Sequence, residues 1–400
     1  MSTIVEDPES VDPMWANEPA TILTPHAPID RRDEVDYRHE RIANLLDECQ
    51  ADGMLLTLPE NVSWLTAGGT LPHSPVRSES VAAFVMTQGR WILCNSSQTQ
   101  RLFDEELDRL GFQVKEWAWY HDADALLADL VSGRKTIGDR GFRDVRVVED
   151  RIASIRSELS MRDLIEYRTL GTRVAHALEA TARNFARGES EVEIAAQLAH
   201  RLHRHEVEPI RLEVCGDERA TRYIDGPPTG QPIRRFVRLK ATGRYRGLHA
   251  TASRTVCFDS LEEAVKAETD WATRLCAVWL VAGKVDATVG DVIHLGKRLL
   301  KPSPYEHAWR SGPGGYVTGY RPVESILTPN STAKLTAGRA VVWSSRVGRM
   351  EICDTFLLTE SGWEFLTPAG EWPIRRVSLS GLRLDRPDIL LRTTDESTSG

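Results

Sequence analysis

Cysteine is scarce and scattered in this 400-residue chain. The six residues Cys49, Cys94, Cys215, Cys257, Cys276 and Cys353 form no CxxC pair. Neither a zinc ribbon nor a secreted disulfide framework is indicated, and a reduced cytoplasm is the expected compartment. No apolar run reaches membrane-spanning length, and the acidic N-terminus MSTIVEDPESVDPMW lacks the apolar h-region of a signal peptide. A surplus of positive charge is missing as well: the formal net charge is -8, so neither nucleic acid nor a membrane surface is expected as a partner. What is present, 41% hydrophobic and 27% charged residues, is enough for two domains with sizeable cores.

The patterning predicts four segments. Residues 1–35, rich in Pro, Asp and Glu, read as a mobile arm. Residues 36–155 read as an α/β domain. It opens with an amphipathic helix through Ile42, Leu45 and Leu46, continues as a strand over Met54–Leu58, and turns at Pro59–Asn61. AAFVMTQGRWILC and FQVKEWAWY then read as strands, and TQRLFDEELDRLG and DADALLADLV as helices. Residues 156–372 read as helix, helix, strands, twice over. The first long helix is stopped by Gly188, and Ser190/Glu193 and Thr288/Asp291 form cap pairs for the second helix of each half. Residues 373–400 form an extension in which IRRVSL and DILL are short strand candidates.

Several ordered motifs carry a family resemblance: PENVSWLTAGG, GESEVEIAAQL, GRYRGLHATASRTVCF, TAGRAVVWSSR and CDTFLLTESGWEFLT. Over residues 37 to 370 the chain resembles the creatinase and aminopeptidase P family. The resemblance implies an α+β chain: a creatinase-like α/β domain followed by a pita-bread domain, two helix-helix-strand halves around a curved antiparallel sheet. It also implies a homodimer whose N-terminal domain reaches across to the partner's pocket.

Pita-bread metallopeptidases hold two divalent ions with two aspartates, a histidine and two glutamates, since hard cations held close together need anionic oxygen ligands. The resemblance places those five positions on Lys240, Thr251, Pro313, Ser344 and Cys353. No anionic carboxylate remains among them, so the expectation is a member without metal or other cofactor. Creatinase, which is metal-free, uses a histidine as acid and base; that position falls on Asp225 or Pro228.

Four residues are the catalytic candidates. His249 shares a strand face with Thr251 and suits proton transfer near neutral pH. Asp225 could serve as a base if its pocket is desolvated, although Asp-Gly-Pro-Pro is also a turn sequence. Tyr320, in HAWRSGPGGYVTGYRPVES, could donate a hydrogen bond or protonate a leaving group. Cys353 could be a nucleophile if Lys240 lowers its pKa, or a small apolar filler. Lys240, Thr251, Arg222, Arg254, Arg321, Glu324 and Ser344 are the substrate-binding candidates, with arginines suited to a carboxylate. The function expected is metal-independent cleavage of a C–N bond in a small amino-acid-like, amide or guanidino substrate. Lyase or isomerase chemistry on the same scaffold, or a catalytically silent peptide- or protein-binding module, are the alternatives.

Overall fold

A computed structural model describes residues 30–70, 81–379 and 382–393. The expected arm therefore lies outside the described residues as far as 29, and from Arg31 onward the chain is helical.

Helix α1 (Arg31–Cys49) buries Val35, Ile42, Leu45 and Leu46, the stripe expected from the sequence, with Asp30 capping its start. Strand β1 (Gly53–Leu56) follows. Pro59–Asn61 is not a free turn but the start of helix α2 (Pro59–Leu65), since proline at the first helical position forfeits only an N–H that has no partner there. The segment read as one strand is a hairpin, β2 (Ala82–Met86) and β3 (Gly89–Asn95). One helical turn, α3 (Thr99–Arg101), runs into a π-helical stretch at Leu102–Leu107, and β4 (Gln113–Trp117), α4 (Asp124–Val131), β5 (Thr136–Gly138), β6 (Arg146–Val147) and α5 (Glu149–Arg156) complete the layer. The sheet order is β4-β3-β2-β1-β5-β6.

Helix α6 (Met161–Asn184) opens with a full capping box, Ser160 with Asp163, and α7 (Glu191–Arg204) with another, Ser190 with Glu193. They back a sheet in which β7 (Glu208–Gly216), β8 (Phe236–Tyr245) and β9 (Leu248–Phe258) lie in the order β9-β8-β7, with the short helix α8 (Asp217–Arg222) between β7 and β8. The second half repeats the order with α9 (Glu263–Ala282) and α10 (Val289–Leu300). Thr288 precedes α10 but makes no side-chain cap bond. Its sheet is β11-β10-β12-β13-β14, from β10 (Gly315–Thr318), β11 (Ser325–Ile326), β12 (Arg339–Val347), β13 (Met350–Thr359) and β14 (Gly362–Phe365).

In the extension, β15 (Ile374–Leu379) and β16 (Leu382–Pro387) form a hairpin, and β17 (Ile389–Arg392) adds to β9 in parallel. Arg386 reaches back to the buried Asp354 at 2.9 Å, tying the extension to the core.

Two features position the site. The half-sheets meet along β9 and β13 through side-chain oxygens rather than a backbone ladder. The Thr251 N–H donates to Thr355 Oγ1 at 2.8 Å, Thr355 Oγ1 donates to Thr251 O at 2.8 Å, and the Cys353 N–H donates to Ser253 Oγ at 3.0 Å. The N-terminal domain is fastened by buried charge. Arg38 of α1 donates to Asp163 at 2.8 Å and to Tyr320 Oη at 2.8 Å, while Arg156 pairs with Glu324 at 2.6 Å.

Candidate functional site

The expected face of β9 is the inner one: His249, Thr251 and Ser253 all turn toward the second half-sheet. The polar centre between the halves is organised by Lys240 and Glu351. Lys240 Nζ lies 2.7 Å from Glu351 Oε1, which also accepts from Ser344 Oγ at 2.8 Å, and Arg238 Nε stands 3.3 Å from Glu351 Oε2. Tyr316 Oη donates to Thr251 Oγ1 at 3.2 Å, and Thr251 shares a 2.9 Å hydroxyl contact with Thr242. Glu213 is the register partner of Lys240 on β7. Its Oε1 lies 2.7 Å from Arg211 Nε, and its buried Oε2 has no hydrogen-bond partner among the described residues.

The ionisation states follow from these contacts. Burial alone would raise the Glu351 carboxyl, but Lys240 and then Arg238 outweigh it and hold the group at about 2. Burial opposes the Lys240 charge, yet Glu351 overcomes that and raises its pKa, so the ammonium is a fixed cation. Glu213 is raised by burial, which the charge of Lys240 only partly offsets. The Tyr316 phenol is raised, mainly by burial, and stays protonated. Lys240 keeps 17% side-chain exposure, and Tyr316 and Ser344 are likewise half-buried.

The structure thus gathers Lys240, Thr251, Ser344 and Cys353 and disperses the other candidates. The thiol of Cys353 is wholly buried and raised by that burial in spite of Lys240, the opposite of an activated thiolate. The premise that Asp225 is desolvated does not hold: its side chain is 51% exposed and paired with Arg211. Arg222 lies in solvent, 3.3 Å from Glu218. Tyr320 is sealed at the domain junction, donating to Asp163 at 2.7 Å and accepting from Arg38. Arg321 and Glu324 stand at the same junction, Arg321 bound to Glu60 and Glu149 and Glu324 to Arg156. Arg254 points away from the inner face of β9 into a buried network with Glu179 at 2.9 Å and Asp354 at 3.0 Å.

His249 sits at the edge of the centre, with both its backbone N–H (3.0 Å) and ring Nδ1 (3.1 Å) on Gly319 O. A carbonyl only accepts, so Nδ1 carries the proton. Burial drives the imidazole down to about 4, leaving it neutral.

Glu213, Tyr316 and Arg238 complete the centre, and the first two were not singled out as its members from the sequence. Glu213 could have been found from the strand alternation of β7, which places it opposite Lys240 once the hairpin register is known. Tyr316 arrives from the other half of the chain, and no local signal marks it. Among the described residues, no three His, Cys, Asp or Glu side chains are grouped as a metal site would group them. No helix among them is long and apolar enough to cross a membrane.

Residues 38–186 match the Creatinase/Prolidase N-terminal domain family, a span that runs past the sheet and through α6. No curated protein sequence matches the chain. Solved structures do. The Xaa-Pro dipeptidase from Bacillus anthracis aligns with a TM-score of 0.72 at 14% identity, over 90% of this chain and 100% of that one. The prolidase from Pyrococcus horikoshii OT3 gives 0.71 at 15% identity, over 84% and 99%. The N-terminal domain of the FACT complex subunit SPT16 from chickpea gives 0.60 at 9% identity, over 85% and 96%. The chain therefore carries a creatinase/prolidase N-terminal domain on a prolidase-like pita-bread fold.

Proposed function

We propose that the protein is a hydrolase that cleaves a C–N bond in a small amino-acid-like or amide substrate bearing a carboxylate, at the centre around Lys240, without a bound metal. The observation that carries this reading is Glu213. A buried carboxylate with one unpartnered oxygen, next to a fixed ammonium, is unusual unless it has work to do. Burial raises Glu213, bringing it closer to the range in which a carboxylate accepts a proton from water and returns it to a leaving amine. In this reading the Lys240 ammonium, which rests on Glu351, and the Tyr316 hydroxyl, which rests on Thr251, turn to stabilise an oxyanion as water adds to the carbonyl.

Metal independence is supported by the donor set. Lys240 brings a positive charge to the first ligand position, Thr251 and Ser344 offer hydroxyls, Cys353 a buried thiol, and Pro313 no donor at all. Glu351 is already engaged by Lys240 and Ser344. Two adjacent divalent ions do not fit this set. His249, Asp225, Tyr320 and Cys353 receive no proton-transfer role, on the grounds of their surroundings given above.

A second reading, a silent peptide- or protein-binding module, is favoured by the closed Lys240–Glu351 pair and by the fold similarity to the SPT16 domain. One experiment separates the readings: product analysis with Xaa-Pro dipeptides, N-acyl amino acids and guanidino acids, for wild type and Glu213→Gln. Hydrolysis that falls by about 100-fold or more in Glu213→Gln, at unchanged melting temperature, is expected. An unsaturated product would indicate a lyase, and no turnover of any compound would favour the binding module. We further propose a homodimer of cytoplasmic location, which light scattering checks for its mass.

A further inference from the structure

The charges around Glu351 do not balance. Lys240, Arg238 and Arg346 surround it, and among the described residues the other carboxylates near them are Glu213 and Asp225, which share the single cation Arg211, so four cations face three carboxylates. Arg346 makes no ion pair among the described residues. Its guanidinium instead donates to four backbone carbonyls: Gly348 O at 3.3 Å, Ala220 O at 3.4 Å, Tyr223 O at 2.7 Å and Ile224 O. Arg238 donates to the same Ile224 O at 2.7 Å and to Arg349 O at 2.8 Å. Burial and then the neighbouring Arg238 push Arg346 down to about 10, more than the facing Glu351 and Asp225 restore.

Of these carbonyls, those of Tyr223 and Ile224 lie on one strap, which polar contacts hold, among them Asp225 on Arg211 and the Tyr223 ring beneath Arg219. Tyr223 and Ile224 leave 47% and 45% of their surface in solvent, so little apolar burial opposes their displacement. Carbonyl dipoles are also weaker partners for paired guanidiniums than a carboxylate, which accepts two parallel N–H bonds.

We propose that Arg346 and Arg238 are a carboxylate-binding site at the mouth of the Lys240 centre, kept covered by the strap Tyr223–Asp225, and that an anionic ligand displaces the Tyr223 and Ile224 carbonyls to occupy it. The ligand class is a small organic carboxylate. The inference rests on the reading above only for its link to substrate, since binding is measurable without turnover.

The test is calorimetric titration of the full chain with acetate and N-acetylglycine, against inorganic phosphate, at constant ionic strength. Wild type is expected to bind the carboxylates, Arg346→Gln to weaken binding at least tenfold, and Arg346→Lys to recover part of it. Asp225→Asn, which loosens the strap, is expected to tighten binding severalfold, and hydrogen exchange of residues 222–226 to quicken on adding carboxylate. Absence of binding in the tens-of-millimolar range, equal affinity in wild type and Arg346→Gln, slower exchange of the strap, or phosphate binding more tightly than carboxylate would each overturn the assignment. Binding that depends on Arg346 without any turnover would contradict the hydrolase reading alone. Turnover indifferent to Arg346 would contradict this site alone.

Discussion

Lys240 Nζ and Glu351 Oε1, 2.7 Å apart, join β8 of the first half-sheet to β13 of the second. The contact is a charge pair that ties the two half-sheets together at the polar centre. Its acid component has a definite sign. Glu351 falls from an ordinary 4.5 to about 2 in the folded protein, so it stabilises the fold above pH 4.5 and that contribution is lost as pH falls toward 2. The size is on the order of 3 kcal/mol. Urea unfolding of wild type and Glu351→Gln at pH 7 and pH 2.5 should show the gap between them shrinking by roughly that amount. A constant gap would mean that Glu351 is not held charged by its neighbours.

His249 contributes in a different window. Its folded value of about 4 lies below the ordinary 6.5, so the unfolded chain takes up a proton that the fold refuses, and stability declines as pH drops from 6.5 to 4. His249→Asn should remove that decline and leave turnover within about threefold, since burial lowers the basicity of the imidazole too far for it to hold a proton near neutral pH. A rate loss of about 100-fold would return the catalytic role to His249.

Tyr320→Phe keeps the ring but deletes the hydroxyl that donates to Asp163 and accepts from Arg38. Both partners are buried, so a cost of about 1–3 kcal/mol is expected in urea denaturation, with the substrate's KM unchanged. A raised KM at unaltered stability would place Tyr320 in the site rather than at the domain junction.

Gly171 on α6 faces β14's trailing segment so closely that an added Cβ would stand 1.8 Å from Leu366 O. Gly171→Ala should therefore lower the melting temperature sharply, by about 5 °C or more, or abolish soluble expression. A wild-type melting curve would show that the helix and the strand end can part without cost.

Much of the architecture was legible because it is written locally. The α1 stripe of Ile42, Leu45 and Leu46, the Ser190–Glu193 box and the repeated helix-helix-strand order all depend on neighbours a few residues apart. Lys240 and Thr251 were placed at the centre by the family resemblance, and one hairpin carries both. The remainder depends on meetings between distant segments. Thr288 resembles a cap and makes no cap bond, and Pro59–Asn61 resembles a turn and starts a helix. Tyr320 and Arg321 look like site residues in their motif. Only the docking of α1, α2 and α5 turns them to the domain junction. Glu213 becomes notable only when packing buries it opposite Lys240.

The central claim, that the Lys240 centre works without metal, is tested most directly by one measurement: turnover of the best carboxylate-bearing amide after exhaustive chelation, before and after adding Mn2+, Co2+ or Zn2+. The account predicts the same rate in all conditions, and a collapse of that rate in Lys240→Met. Activity that vanishes on chelation and returns with about two equivalents of a divalent ion per chain would contradict it.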